Sequence, residues 1–228
     1  MIELINLYKL YPNGVSALND VNLSVGAGEF VYVVGPSGAG KSTLIKMLYR
    51  EEKPTKGSVI IDGVNVSSYK NRKISLLRRK MGIVFQDYKL LPQLTVYENV
   101  TFALQVTEES PARIKRRVME ALDLVGLKHK IRMKPSELSG GEQQRVSIAR
   151  SIVRNPKLMI ADEPTGNLDP ETAIDILRLF EEINQMGTTI IMATHNKELV
   201  NTYRHRVLAI ENGEIVRDEE RGDYGYET

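Results

Sequence analysis

The chain has 228 residues, 42% of them hydrophobic and 26% charged, which is enough length and apolar content to bury a full core in one domain. Its 31 basic and 29 acidic side chains leave a net charge of +2, so charge supplies no general attraction to nucleic acid. No cysteine is present, which excludes disulfides, thiolate metal sites and thiol catalysis and fits a reducing, cytoplasmic compartment.

In chain order, the opening MIELINLYKLY lacks a signal-peptide pattern, and the first 35 residues read as short β-rich runs separated by turns, an N-terminal antiparallel β part. FVYVVG then runs into GPSGAGKST, residues 35–43, and a helix carrying Leu44, Ile45 and Leu48. SVIIDG predicts a strand closing on an Asp-Gly turn, and KMGIVFQ a further strand. Between them YKNRKISLLRRK, residues 69–80, holds six basic residues and no acid, and reads as a solvated surface.

From 87 to 155 helical spacing dominates, as in VMEALDLVGL and in the helix beginning at Ser139. Strand character returns in KLMIADEP, followed by a helix capped by Asp169 and Pro170, with Ala173, Ile176, Leu177, Phe180 and Ile183 on one face and Gly187 at its end. TTIIMATH is a short buried strand, RVLAIENGEIVRDE an Asn-Gly hairpin, and RDEERGDYGYET an acid-rich, solvated ending. The expected fold is α/β: a P-loop NTPase core with a mixed, largely parallel sheet, formed by residues 1–86 and 156–228, with a helical lobe inserted at 87–155. Apolar runs such as FVYVVG fall far below the roughly 18 residues of a membrane span.

GPSGAGKS matches GxxxxGK[ST] between a strand and a helix. Glycines at 38 and 40 let backbone N–H groups close around phosphate oxygens, Lys41 adds a point charge, and Ser42 can ligate Mg²⁺. The pocket would be lined by Gly35, Pro36, Ser37, Gly38, Ala39, Gly40, Lys41, Ser42 and Thr43. A magnesium nucleotide also needs a carboxylate at a neighbouring strand end, and LMIADE offers two: Asp162 to hold the metal and Glu163 to orient or deprotonate a water. His195, just past a third strand, suits either a structural hydrogen bond or catalysis, and Gln86 either a metal or water ligand or an ordinary strand-end amide. LSGGEQQR, residues 138–145, predicts a second anion-seeking helix start: Ser139 caps it, Glu142 completes a capping box, and Gly140 and Gly141 leave its first turn bare.

GPSGAGKST, Gln86, LSGGEQQR, LMIADEP, Asn167-Leu168-Asp169 and His195 stand in the order and at about the separations of the ATP-binding-cassette ATPases, which the chain resembles over nearly its whole length. The resemblance implies ATP and Mg²⁺ as cofactors, and a homodimer in which Ser139 and Gly141 of one chain face the γ-phosphate on Lys41 of the other. It implies that Tyr11 stacks on adenine, that Asp169 links the two sites, and that His195 is a switch at the γ-phosphate. ADEPTGNLD is similar to a set that includes lipoprotein-releasing, macrolide-export and cell-division ATPases, and within it FQDYKLL, LYRE, MATHN and RDEERGDYGYE are most similar to the cell-division branch. That branch implies an integral membrane partner of FtsX type docking near residues 86–98, where Leu90, Leu91 and Leu94 lie, and an indirect link to peptidoglycan hydrolases. The chain would then sit at the inner face of the cell membrane through its partner. Soluble ABC ATPases acting on nucleic acid or ribosomes usually carry a coiled-coil insertion or a second cassette, and this sequence has neither.

Overall fold

The computed structural model describes residues 1–106 and 109–225 of the chain. A four-stranded antiparallel sheet comes first: β1 (Ile2–Leu10) lies between β2 (Ser16–Val25) and β4 (Lys56–Ile61), and a short β5 (Val64–Asn65) extends the edge. A six-stranded sheet holds β3 (Phe30–Val34), β6 (Met81–Phe85), β7 (Leu158–Asp162), β8 (Thr189–Ala193), β9 (Arg206–Glu211) and β10 (Glu214–Glu219) in the order β10-β9-β3-β8-β7-β6. Five of its strands, β9 through β6 in that order, are parallel and only β10 runs against them, because Asn212 and Gly213 both take positive φ (47° and 82°) and close a tight hairpin.

Side chains of β3 alternate between two buried clusters. Val31 and Val33 join the antiparallel sheet and α1 (Lys41–Leu48), while Phe30, Tyr32 and Val34 join the opposite face. That second face is covered by α3 (Val96–Phe102), α4 (Pro111–Leu124), α5 (Gly140–Ile152) and α6 (Pro170–Gln185). A strand buried on both sides explains why FVYVV is apolar throughout instead of alternating. All five expected apolar residues of α6 are buried, Asp169 accepts from Thr172 N–H, and Gly187 (φ +96°) follows the last turn.

Three features depart from the sequence reading. β1 and β2 run nine and ten residues, longer than the short strands expected, because bulges around Asn6 (φ 44°) and Asp20 (φ 48°) break their alternation. The basic segment contains a helix, α2 (Asn71–Arg78), that buries only Leu77 and has no side-chain N-cap, so periodicity gave little sign of it. Nor is the acidic ending fully solvated: Tyr224 is 7% exposed, and the expectation for residues 226–228 lies outside the described residues.

Register sets up the site. Phe85, Asp162 and Ala193 pair across β6, β7 and β8, and Ala193 pairs with Val33 of β3. Gln86, Glu163, Thr194 and the glycine loop therefore leave the sheet along one edge, at the carboxyl ends of parallel strands, where α/β folds place their ligands.

Candidate active site at the strand ends

The glycine loop is shaped by close approach as much as by freedom of φ. A Cβ on Gly35 (φ +146°) would stand 2.2 Å from the Ile210 carbonyl oxygen, and one on Gly40 (φ +111°) 2.4 Å from that of Ala17. Gly40 is the N-cap of α1 and brings no side-chain cap, so the first turn depends on something else for its N–H groups. Lys41 folds over the loop, with Nζ donating to the carbonyls of Gly35 (2.7 Å) and Pro36 (2.9 Å). Burial lowers its pKa, opposed by the carboxylates of Glu163 and Asp162, which puts both acids within electrostatic reach of the loop.

Asp162 is held above the usual carboxylate range by burial first and by Glu163 second, against the pull of Lys46 and Lys41. Its Oδ1 is buried and has no hydrogen-bond partner. Such an oxygen is a site for a cation or its water. No cage of three His, Asp or Glu side chains exists among the described residues, and Mg²⁺ does not require one, since it takes one or two carboxylates plus phosphate and water. The residues present fit that ion.

Glu163 sits at φ 50°, costly for a residue with a Cβ, and is held there by its N–H to Ala193 O (3.0 Å) and by Gly166 N–H to its own carbonyl (3.2 Å). Its Oε2 lies 2.8 Å from Nδ1 of His195 and accepts the His195 backbone N–H at 3.2 Å. Gln86 is tied to Asn167 through its amide nitrogen and its backbone: Nε2 donates to Asn167 Oδ1, and Asn167 Nδ2 returns a bond to Gln86 O, both at 3.2 Å, and neither bond uses the side-chain oxygen. Tyr11 reaches the loop, its hydroxyl 3.3 Å from Thr43 Oγ1, with Lys9 Nζ 4.8 Å from its ring centre.

The signature residues form a second group. Ser139 Oγ accepts Glu142 N–H (3.3 Å), and Glu142 accepts Ser139 N–H (3.0 Å) and Lys130 Nζ (2.6 Å), a complete capping box. Lys130 first, then Ser139, holds the Glu142 carboxyl below its ordinary pKa. The turn is not bare, as the two glycines suggested: Gly141 is buried, and a Cβ there would come 2.4 Å from Thr172 Cγ2 on α6, while Gly140 lies against Tyr88 and Leu168. Glycine is needed because α5 and α6 meet at this point, just behind their caps Ser139 and Asp169.

Side-chain links to backbone carbonyls around the two groups were missed by sequence reasoning. Gln144, fully buried within the signature, donates to Pro164 O, directly after Glu163, and at 3.5 Å to Phe85 O, directly before Gln86. Arg150, farther along α5, donates to the carbonyls of Tyr88 (2.8 Å) and Lys89 (2.6 Å), two successive residues at positive φ. Asn99, also fully buried, ties the loop at Leu91, Leu94 and Thr95 to α3. The one available signal was a polar residue at a position where helical spacing calls for a core residue.

Comparison with known proteins agrees with this geometry. A family model described as "ABC transporter" matches residues 18–166. The cell division ATP-binding protein FtsE of Bacillus subtilis is 64% identical over 225 residues, covering 99% of each chain, and that of Escherichia coli K12 is 45% identical over 215, covering 94% of this chain and 97% of the relative. Among solved structures, the dimeric ATP-binding cassette MJ0796 in a post-hydrolysis state with ADP and Pi matches at TM-score 0.87 and 36% identity, covering 97% of this chain and 99% of that one. The glycine loop follows β3 and the acid pair ends β7; β8 lies between them, so the pair is not on the adjacent strand that the sequence suggested. Gln144 ties the signature helix to the turn after that pair. Sequence kinship agrees with this arrangement, and the chain belongs to the ABC transporter family and is an ATPase of its cell-division FtsE group.

Proposed function

We propose that the chain is a Mg²⁺-dependent ATP hydrolase that dimerises around two ATP molecules and drives an FtsX-like membrane partner, regulating peptidoglycan hydrolysis in division. Residues 35–43 hold the phosphates, with Lys41 turning from its loop carbonyls to the β- and γ-phosphates, and Tyr11 stacks on the base. Ser42, Asp162 and the side-chain oxygen of Gln86, which its bond to Asn167 does not use, would hold Mg²⁺, and the ion would neutralise charge on the phosphates. Glu163 positions or deprotonates the attacking water, and His195 orients that carboxylate and meets the γ-phosphate. Ser139 to Glu142 and Asp169 of the second copy complete the site.

The observation that carries this reading is the Glu163–His195 contact, 2.8 Å, beside a buried and unpartnered Asp162 oxygen at the mouth of the loop. Membrane attachment goes through the partner: no helix among the described residues is long and apolar enough to cross a bilayer. The partner would dock near residues 86–98, where Leu91 and Leu94 are half-buried and Leu90 packs partly on the core. Glu163→Gln should keep ATP binding, lose turnover by roughly 10²–10⁴-fold and accumulate ATP-bound dimer in light scattering. Normal hydrolysis by this variant would remove Glu163 from its role.

A further inference from the structure

Beyond β10, residues 220–225 form a short strap of two acids, Arg221, two glycines and Tyr224 to which the catalytic reading assigns no task. The segment folds back on α7 (Lys197–Thr202). Tyr224 shares the core cluster of Leu199 and Val200, its N–H donates to Asn201 Oδ1 at 2.8 Å, and Lys197 Nζ stands 5.7 Å from its ring centre. Arg217 clamps the strap from β10, with Nη2 donating to the carbonyls of Asp223 (2.8 Å) and Tyr224 (2.9 Å) and Nη1 to Asp223 Oδ1 (3.2 Å). At Gly225 (φ +63°) a Cβ would meet Arg217 Nη1 at 2.4 Å, so the strap crosses the guanidinium at its glycine.

What the strap holds is the element that starts immediately after His195. Asn196 is the N-cap of α7, accepting Leu199 N–H at 3.1 Å and donating its own N–H to Thr194 Oγ1 at 3.1 Å. Six residues of helix have almost no stability of their own, so α7 is placed by what it packs on: the core through Leu199 and Val200, and the strap through Tyr224 and Asn201. His195 in turn meets Glu163 through both its ring and its backbone. Burial, and next the Glu163 carboxylate, push the Tyr224 phenol above its ordinary pKa, consistent with that carboxylate being near.

We infer that Tyr224, locked by Arg217, is a positioning residue for hydrolysis: it fixes α7 and thereby the place of His195 against Glu163. The inference rests on the roles given above to those two residues. Its test uses the full chain carrying Tyr224→Ala, Tyr224→Phe or Arg217→Ala, with kcat and KM for ATP, binding of a fluorescent ATP analogue, and thermal melting. Tyr224→Ala is expected to lower kcat on the order of tenfold with KM and analogue binding within about twofold of the parent. Tyr224→Phe keeps the ring and the main-chain bond and should retain most of kcat, with Arg217→Ala between the two. An unchanged kcat in Tyr224→Ala overturns the inference. So does a parallel loss of kcat, binding and melting temperature in Tyr224→Ala, since that is loss of fold alone. Hydrolysis by Glu163→Gln would instead sink the underlying site reading, whatever Tyr224 does.

Discussion

The two helix starts that the proposed function assigns to anions are built in opposite ways. The start of α1 has a glycine N-cap and no side-chain cap, so its first turn is left for a ligand. The start of α5 is satisfied by its own chain: Ser139 and Glu142 cap each other, Lys130 neutralises the glutamate, and Thr172 presses on Gly141. In the proposed function the uncapped turn of α1, behind the glycine loop, takes phosphate as its primary partner. A capped, buttressed turn holds its shape with nothing bound, as a surface offered to a ligand already seated elsewhere requires.

Substitutions can break this contrast. The largest effect belongs to the open start: Lys41→Ala should cut turnover on the order of 10²-fold or more and weaken ATP binding by the lone chain, in a nucleotide titration. Ser139→Arg should leave that titration unchanged and abolish ATP-dependent association. At the closed start the costs fall on folding. Gly141→Ala should destabilise by about 1–3 kcal/mol through overpacking, and Thr172→Ser, which removes the clashing methyl, should recover much of it in a denaturant double-mutant cycle. Ser139→Ala should cost about 1 kcal/mol of cap. At Gly40 no side-chain cap exists to lose.

The smallest effect has the opposite sign. Burial raises the Asp162 pKa in the folded chain, so the native state holds a proton more tightly than the unfolded one. Without nucleotide or metal, stability contributed at this group is greatest below its unfolded pKa and is lost as pH rises through the folded value. Asp162→Asn should therefore raise the melting temperature of the empty chain at neutral pH while abolishing turnover. A lower melting temperature would show the carboxylate to be structural.

What was legible in the sequence was local. Phosphate loop, caps, acid pair and hairpin turns each need only a few neighbouring residues, and Ser139, Asp169, Gly187 and Asn212-Gly213 lie in the conformations their types predict. Gln86 was open between two readings, and what the sequence did not show is the bond of its amide nitrogen to Asn167, a partner 81 residues away. What stayed hidden was set by tertiary contact: α7 is too short for a periodic signature, Gln144 acts on carbonyls 20 and 59 residues distant, and nothing near Tyr224 announces that it is core. The bareness expected of Gly141 failed for the same reason, because its neighbour comes from α6.

The claim at the centre is that each signature helix serves the nucleotide of another copy. The chain has no cysteine, so single cysteines can be placed cleanly. Two pools, one with Ser37→Cys and one with Ser139→Cys, each also carrying Glu163→Gln, are mixed and treated with a short bis-maleimide. The account predicts a cross-linked species containing one chain of each pool, formed with ATP and Mg²⁺ and absent without nucleotide. Association with ATP that yields no 37-to-139 link between chains would contradict it.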